Sequence, residues 1–308
     1  MRILLTGATG LIGSTLVRLW QTEHQLTALT RSAAKVEQKL GTGITAITDI
    51  AQLNMNDYDV VVNLAGEPIA DKRWSAQQKL KICQSRWQLT EELAAKIQQA
   101  TTPPHTLINA SAIGFYGRQS SEVIDESCES CYKEFSHDVC ARWEELANHA
   151  RSPRTRVCIL RIGIVVAANG GALQKMLPAF RLGLGGRIGD GRQFMSWIHI
   201  DDLSAAFDFL LKHTELDGVF NATAPTAVTN QQWTMLLAKR VNRPALLPMP
   251  AMVIRLLFGE MGELLLYGQN VCPRRLLDAG FQFRYRDLRA ALHALAIPPL
   301  KQIDQPGL

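Results

Sequence analysis

Residues 1–13 read MRILLTGATGLIG, and no other stretch restricts the fold as much. A short apolar run, Ile3-Leu4-Leu5, breaks at Thr6 into Gly7-x-x-Gly10-x-x-Gly13, and Leu16, Val17 and Trp20 then follow at helical spacing. Strand, tight turn and helix start in that order predict the opening unit of a parallel α/β sheet. A pyrophosphate that must reach bare backbone N–H groups at a helix N-terminus needs glycine at this turn. Gly7 takes the sharp turn, Gly10 leaves room for the phosphates, and Gly13 lets helix and strand pack closely. A turn built only for packing is the plainer alternative. The strand before it and the helix behind it weigh against that reading.

The first half of the chain continues the alternation. His24 to Thr30, Ile44 to Thr48, Tyr58 to Leu64, Thr106 to Ser111 and Val157 to Ile162 read as strands. YDVVVNL is the near-continuous apolar run of a strand buried on both faces. A long amphipathic helix is predicted from Ser75, its N-cap, to about Gln99. Another carries Val139, Trp143 and Leu146. The fold class is therefore α/β, a Rossmann-type doubly wound parallel sheet, with a smaller and mostly helical C-terminal region on the substrate side. The expected division is a dinucleotide-binding domain over 1–165, completed by about 190–224, and a smaller domain from 166–189 and 225–308. Asp201-Asp202 is expected to cap a helix through Leu211, Gly218 to Ala222 to form a last strand, and the tail after Pro298 to be loose.

Composition narrows the class. Hydrophobic content of 47% with 20% charge suits a globular chain that buries a large core. No apolar stretch reaches the length of a membrane span, and glycines and threonines interrupt the N-terminal run too early for a signal peptide, so a cytoplasmic protein is expected. The formal charge of +5 is spread over small clusters such as Arg151-Arg154-Arg156, which argues for solvated faces and against nucleic acid. Cys128-x-x-Cys131 lacks a second pair for zinc and a thioredoxin-like setting for redox work, so reduced structural cysteines and no metal are expected.

The end of the second strand bears on the cofactor. A carboxylate there would bind the adenosine ribose of NAD. Thr30-Arg31-Ser32 stands in its place. Arg31 would pair with a ribose 2′-phosphate and the hydroxyls would hydrogen-bond to it, which favours NADP(H); an exposed loop arginine is the alternative. Asp49, after the third strand, is a candidate acceptor for the adenine amine.

TGATGLIG, Asn63-Leu64-Ala65-Gly66, Ser111-Ala-Ile-Gly-Phe-Tyr116-Gly117, Leu160-Arg161, the GGALQKMLPAFRLGLGG segment from Gly170, and Met195-Ser-Trp-Ile-His-Ile-Asp-Asp202 together resemble the extended short-chain dehydrogenase/reductases. Within that group the chain is similar to the epimerase family protein branch, over nearly its whole length. The resemblance implies that Gly7, Thr9, Gly10, Leu11, Ile12 and Gly13 hold the pyrophosphate and that Arg31 and Ser32 take the 2′-phosphate. Leu64, Ala65 and Gly66 would line the adenosine side, Glu67 would reach a ribose hydroxyl, and Ser111 would lie near the serine that polarises a substrate. It also implies a small-molecule substrate, and a homodimer paired through a helical face such as 75–99.

The chain departs from that group at the proton-transfer machinery. The relatives use Tyr-x-x-x-Lys, in which the lysine lowers the tyrosine pKa and holds the nicotinamide ribose. Here the tyrosine position falls at or near Ser136 and the lysine position near Cys140. Tyr132, displaced upstream, and His137 are the candidate proton carriers; Tyr116 and His199 read as structural. Two functions remain open at this point: an NADP-dependent oxidoreductase or epimerase-like enzyme with a non-standard acid/base, or an NADP(H)-binding sensor acting through protein partners.

Overall fold

The computed structural model describes residues 1–297; the tail after Pro298 lies outside them. The first elements are β1 (Arg2–Thr6), α1 (Leu11–Trp20), β2 (Gln25–Leu29), α2 (Ala33–Leu40), β3 (Thr45–Ile47), β4 (Val60–Asn63), α3 (Ala76–Gln99) and β5 (Thr106–Ala112). Then come β6 (Val123–Ile124), α4 (Phe135–Asn148), β7 (Arg156–Ile162), β8 (Ile164–Ala167), α5 (Gly171–Arg181), β9 (Phe194–Met195), β10 (Trp197–His199), α6 (Ile200–Lys212) and β11 (Gly218–Ala222). The last are β12 (Val228–Thr229), α7 (Asn230–Val241), α8 (Ala251–Phe258), α9 (Glu263–Leu266), β13 (Asn270–Val271), α10 (Arg274–Asp278) and α11 (Leu288–Ala294).

Seven parallel strands form the main sheet in the order β11-β7-β5-β4-β1-β2-β3. Strand alternation explains why both faces are covered. Ile3, Leu5, Val60, Val62, Cys158 and Leu160 face one apolar cluster with α1 and α6. Leu4, Val61, Val157 and Ile159 face the other, with α3 and α4. The chain runs outward from β1 to β3 and then returns to the opposite side of β1 as β4. That reversal opens a crevice at the carboxyl ends of β1 and β4, where open α/β sheets bind ligands.

A further apolar cluster joins α5, α7 and α11 around Trp197 and Trp233. Leu276, Phe281 and Phe283, late in the chain, pack instead on the main sheet's core. Among the described residues no helix is long and apolar enough to cross a membrane, and no group of His, Cys, Asp or Glu is arranged to hold a metal ion.

Ser75 caps α3 as its position predicts, accepting from the Gln78 N–H at 3.2 Å. The expectation for Asp201-Asp202 needs correction. His199 is the cap of α6, its Nδ1 accepting from the Asp201 N–H at 3.1 Å. Asp202 turns to the C-terminal region and accepts from the Arg284 and Tyr285 N–H groups at 2.8 and 2.9 Å. The sequence rule favours Asp at a cap, but burial of His199 beside Tyr285 (ring centroids 4.0 Å apart) puts the imidazole in reach first.

Candidate cofactor and active site

The turn after β1 is shaped by close backbone approaches. Gly7 has φ +68°, and a Cβ there would stand 2.8 Å from the Leu64 carbonyl oxygen. A Cβ on Gly13 would stand 2.3 Å from the Gly7 oxygen and 2.7 Å from the Ala8 Cα. Gly10 donates its N–H to the Gly7 oxygen at 3.0 Å and begins α1 with no side-chain cap. The first N–H groups of α1, at Leu11, Ile12 and Gly13, therefore face the crevice without an intrahelical partner, beside the positive end of the helix dipole. Thr9 is half-buried in the same turn. The β8–α5 turn lies against it, since a Cβ on Gly170 would meet Leu11 Cδ1 at 2.9 Å. The arrangement offers a pyrophosphate bare donors and no side chain to displace.

The wall at β4 is braced from below. Thr6 Oγ1 donates to Asn63 Oδ1 at 2.7 Å and accepts from the Leu64 and Ala65 N–H groups, each at 3.0 Å. Asn63 Nδ2 donates to Thr90 Oγ1 at 2.8 Å and to Asn109 Oδ1 at 2.6 Å, so β1, β4, β5 and α3 share one buried polar network. Gly66 follows, with the Arg86 guanidinium so near that a Cβ would meet its Cζ at 2.8 Å. Glu67 donates its N–H to Ser85 Oγ at 2.8 Å, and its carbonyl accepts from Arg86 Nη1 at 3.0 Å.

Sequence reasoning missed Arg86. Among the described residues no carboxylate forms a salt bridge with it; burial lowers its pKa, and it lies over the Trp143 ring at 5.2 Å. The available signal was its position. Arg86 falls between Ile82 and Thr90 on the face of α3 that is buried, where a charge needs a reason.

At the end of β2, Thr30 continues the pairing to Ile47 and its Oγ1 accepts from the Ser32 N–H at 3.2 Å. The Ser32 hydroxyl caps α2 by accepting from the Lys35 N–H at 3.3 Å. Arg31 is exposed and no ion pair to a described residue occupies it. Asp49 caps a 3-10 turn over Ile50–Gln52, accepting from the Ala51 N–H at 2.8 Å through one oxygen.

The far end of the crevice, where α4 meets β5, is more tightly committed. Ser111 is 3% exposed and donates to Glu144 Oε1 at 2.6 Å. Arg161 clamps the same carboxylate with two bonds of 2.9 and 2.8 Å, and its guanidinium lies 3.3 Å from the Phe115 ring centroid. Burial opposes the charge on Arg161, but the bonds and attraction to Glu144 raise its pKa overall. Tyr116 donates to Asn221 Oδ1 at 2.8 Å, and burial pushes it up to about 12, a neutral and structural phenol.

Ser136 and Cys140 do face β5. A Cβ on Gly114 would meet Ser136 Cβ at 3.2 Å and Cys140 Sγ at 3.7 Å. Burial pushes Cys140 up to about 11, so it stays a thiol at neutral pH. His137 is half-buried, with Nδ1 hydrogen-bonded to the Phe115 carbonyl and Nε2 left for another partner. Tyr132 is exposed, with the Arg118 guanidinium 4.5 Å from its ring. Ser111 and His137 thus each tie β5 and the turn after it to α4, at different points: Ser111 through Glu144 and His137 through Phe115; Tyr132 stands on the surface beside Arg118.

The NAD dependent epimerase/dehydratase family model matches residues 3–222, and a domain of unknown function (DUF1731) matches residues 249–295. Epimerase family protein Mb2239 of Mycobacterium bovis is 38% identical over 292 residues, which is 94% of this chain and 96% of the relative. Epimerase family protein SDR39U1 of the mouse is 35% identical over 296 residues, 95% of this chain and 98% of the relative. The crystal structure of human epimerase family protein SDR39U1 (isoform 2) with NADPH superposes with a TM-score of 0.88 at 34% identity, covering 96% of this chain and 99% of that one. With the seven-stranded parallel sheet and the glycine turn at its switch point, these similarities show that the chain belongs to the NAD dependent epimerase/dehydratase family.

Proposed function

We propose that this protein is an NADP(H)-dependent oxidoreductase or epimerase-like enzyme acting on a small polar substrate. The observation that carries the cofactor is the pairing of an uncapped α1 N-terminus with an unengaged Arg31 at the end of β2. A pyrophosphate fits the first, and a 2′-phosphate fits the second. The human relative crystallised with NADPH supports the same reading.

In this proposal Gly7, Thr9, Gly10, Leu11, Ile12 and Gly13 receive the pyrophosphate, and Arg31 with Ser32 receives the 2′-phosphate. Leu64, Ala65 and Gly66 line the adenosine side, with Asp49 at the adenine and Glu67 at a ribose hydroxyl. Arg86, flat against Gly66, adds a positive charge to that wall. Bound NADPH supplies a hydride to an electrophilic carbon. The chain must then supply a proton and hold the substrate oxygen. His137 is the proton carrier that the local geometry supports best, because the Phe115 carbonyl fixes Nδ1 and leaves Nε2 to exchange a proton. Ser111 remains a candidate for the substrate oxygen. Its own proton goes to Glu144, so in this arrangement its oxygen accepts from a substrate hydroxyl, and it can donate to a carbonyl oxygen only when its proton turns away from Glu144. Tyr132 is the third candidate.

The test is NADPH oxidation across a panel of small aldehydes, ketones and keto-sugars. The proposal expects turnover with at least one class, and a roughly 10²–10⁴-fold loss in His137→Asn with NADPH binding retained. Saturable NADPH binding with no turnover on any class would overturn the enzyme reading in favour of a sensing role.

A further inference from the structure

A charge set into the wall of a crevice needs a partner or a task. Arg86 lies on the inward face of α3, and only one of its side-chain nitrogens is engaged. Nη1 donates to the Ile82 carbonyl at 3.1 Å and to the Glu67 carbonyl at 3.0 Å. Nε and Nη2, the two donors along one edge of the guanidinium, bond to no described residue. Neither is sealed in protein, and both keep contact with solvent. The plane of the group is set by two neighbours. A Cβ on Gly66 would meet Cζ, Nη2 and Nε at 2.8, 2.9 and 3.1 Å. Gly66 has no left-handed φ to account for it, so room for Arg86 is what this glycine supplies. The Trp143 ring lies 5.2 Å from Cζ, and its Nε1 is tied to Thr90 Oγ1 at 2.9 Å, one turn beyond Arg86.

We propose that Arg86 holds the nicotinamide ribose, with Nε and Nη2 donating to its two adjacent hydroxyls. The proposal rests on the NADP(H) reading above. Location is the first argument. A dinucleotide lies across the switch point, one half on each side of β1. The 2′-phosphate end falls over β2 and β3, by Arg31 and Asp49, so the nicotinamide half runs the other way, over β4 and β5. Arg86 stands between the ends of those two strands. It lies against Gly66 after β4, and close enough to the Cys140 thiol for their charges to interact. Cys140 in turn abuts Gly114 after β5, where a Cβ would meet its Sγ at 3.7 Å. Donor geometry is the second argument. Two parallel N–H groups on a rigid edge match two neighbouring acceptors, and vicinal hydroxyls present such a pair. Arg161, on β7, has this same edge filled by Glu144 at 2.9 and 2.8 Å, whereas that of Arg86 is free among the described residues.

Titration of the full chain with NADPH and with 2′,5′-ADP, which lacks the nicotinamide half, tests this without any turnover. Arg86→Gln should weaken NADPH roughly tenfold or more and leave 2′,5′-ADP binding as in wild type. Arg86→Lys keeps the charge but loses the paired donors. It should weaken NADPH less and again spare 2′,5′-ADP. Circular dichroism checks that each variant is folded, and Arg86→Lys carries the test if Arg86→Gln is not. Equal losses for the two ligands would show that Arg86 only braces the loop at Glu67, and would overturn the proposal. So would an unchanged NADPH affinity in Arg86→Gln, or in Arg86→Lys where that variant must serve. A wild-type protein that binds neither ligand overturns the cofactor reading itself, and this proposal with it.

Discussion

Asn63 and Asn109 stand side by side on β4 and β5, and Asn63 Nδ2 donates to Asn109 Oδ1 at 2.6 Å. Both are buried, and the same Asn63 side chain accepts from Thr6 and donates to Thr90. The pair is the centre of the network that holds the floor of the crevice. Asn63→Leu leaves the Thr6, Thr90 and Asn109 groups short of partners, at about 1–3 kcal/mol for each group left unsatisfied. Urea unfolding should show a loss of several kcal/mol. Thr6→Val should cost less stability but weaken NADPH binding, because the Leu64 and Ala65 N–H groups lose their acceptor.

Gly13→Ala tests the turn by sterics alone. The new Cβ would collide with backbone at Gly7 and Ala8, which cannot swing aside as a side chain can. NADPH affinity should fall at least tenfold and the melting temperature should drop. Gly43→Ala is the control, since a Cβ there meets nothing within 4 Å. If Gly13→Ala binds NADPH as wild type does, the turn is not the phosphate cradle.

How the glycine turn was legible, and the opposite end was not, follows from range. Gly7, Gly10, Gly13 and the Ser75 cap act within one local segment, so spacing alone announces them. Arg86, Glu144 and Arg161 come from α3, α4 and β7, and only the closed fold brings them to the crevice and its floor. The His199 cap was hidden for a different reason: local rules favour the aspartates, but packing decides which side chain points along the helix axis.

The Ser111–Glu144–Arg161 cluster makes an asymmetric prediction. Glu144→Gln leaves the buried Arg161 charge without its carboxylate and should destabilise by about 3–5 kcal/mol. Ser111→Ala removes one hydrogen bond while the Arg161 clamp remains, and should cost about 1 kcal/mol. Equal losses in the two variants by chemical denaturation would show that Arg161 does not depend on Glu144 for its charge.

Burial pushes the thiols of Cys140 and Cys158 from 9.0 to about 11. In the unfolded chain they lose protons near pH 9, so between about pH 9 and 11 the unfolded state binds fewer protons than the folded one. Their contribution is whole below pH 9 and fades as pH rises toward 11, at up to about 1.4 kcal/mol per pH unit for each thiol. Stability should decline over that window and decline less in Cys140→Ala/Cys158→Ala. At neutral pH native labelling should reach the half-exposed Cys128 and leave Cys140 and Cys158 unmodified.

Cofactor discrimination tests the central claim most directly. Fluorescence titration should give NADPH an affinity at least tenfold above NADH. Arg31→Ala should remove most of that difference, a loss of about 1.5–3 kcal/mol for a hydrogen bond to a charged group, and leave NADH binding unchanged. Equal affinity for the two nucleotides, or an Arg31→Ala variant that still prefers NADPH as wild type does, would contradict the assignment.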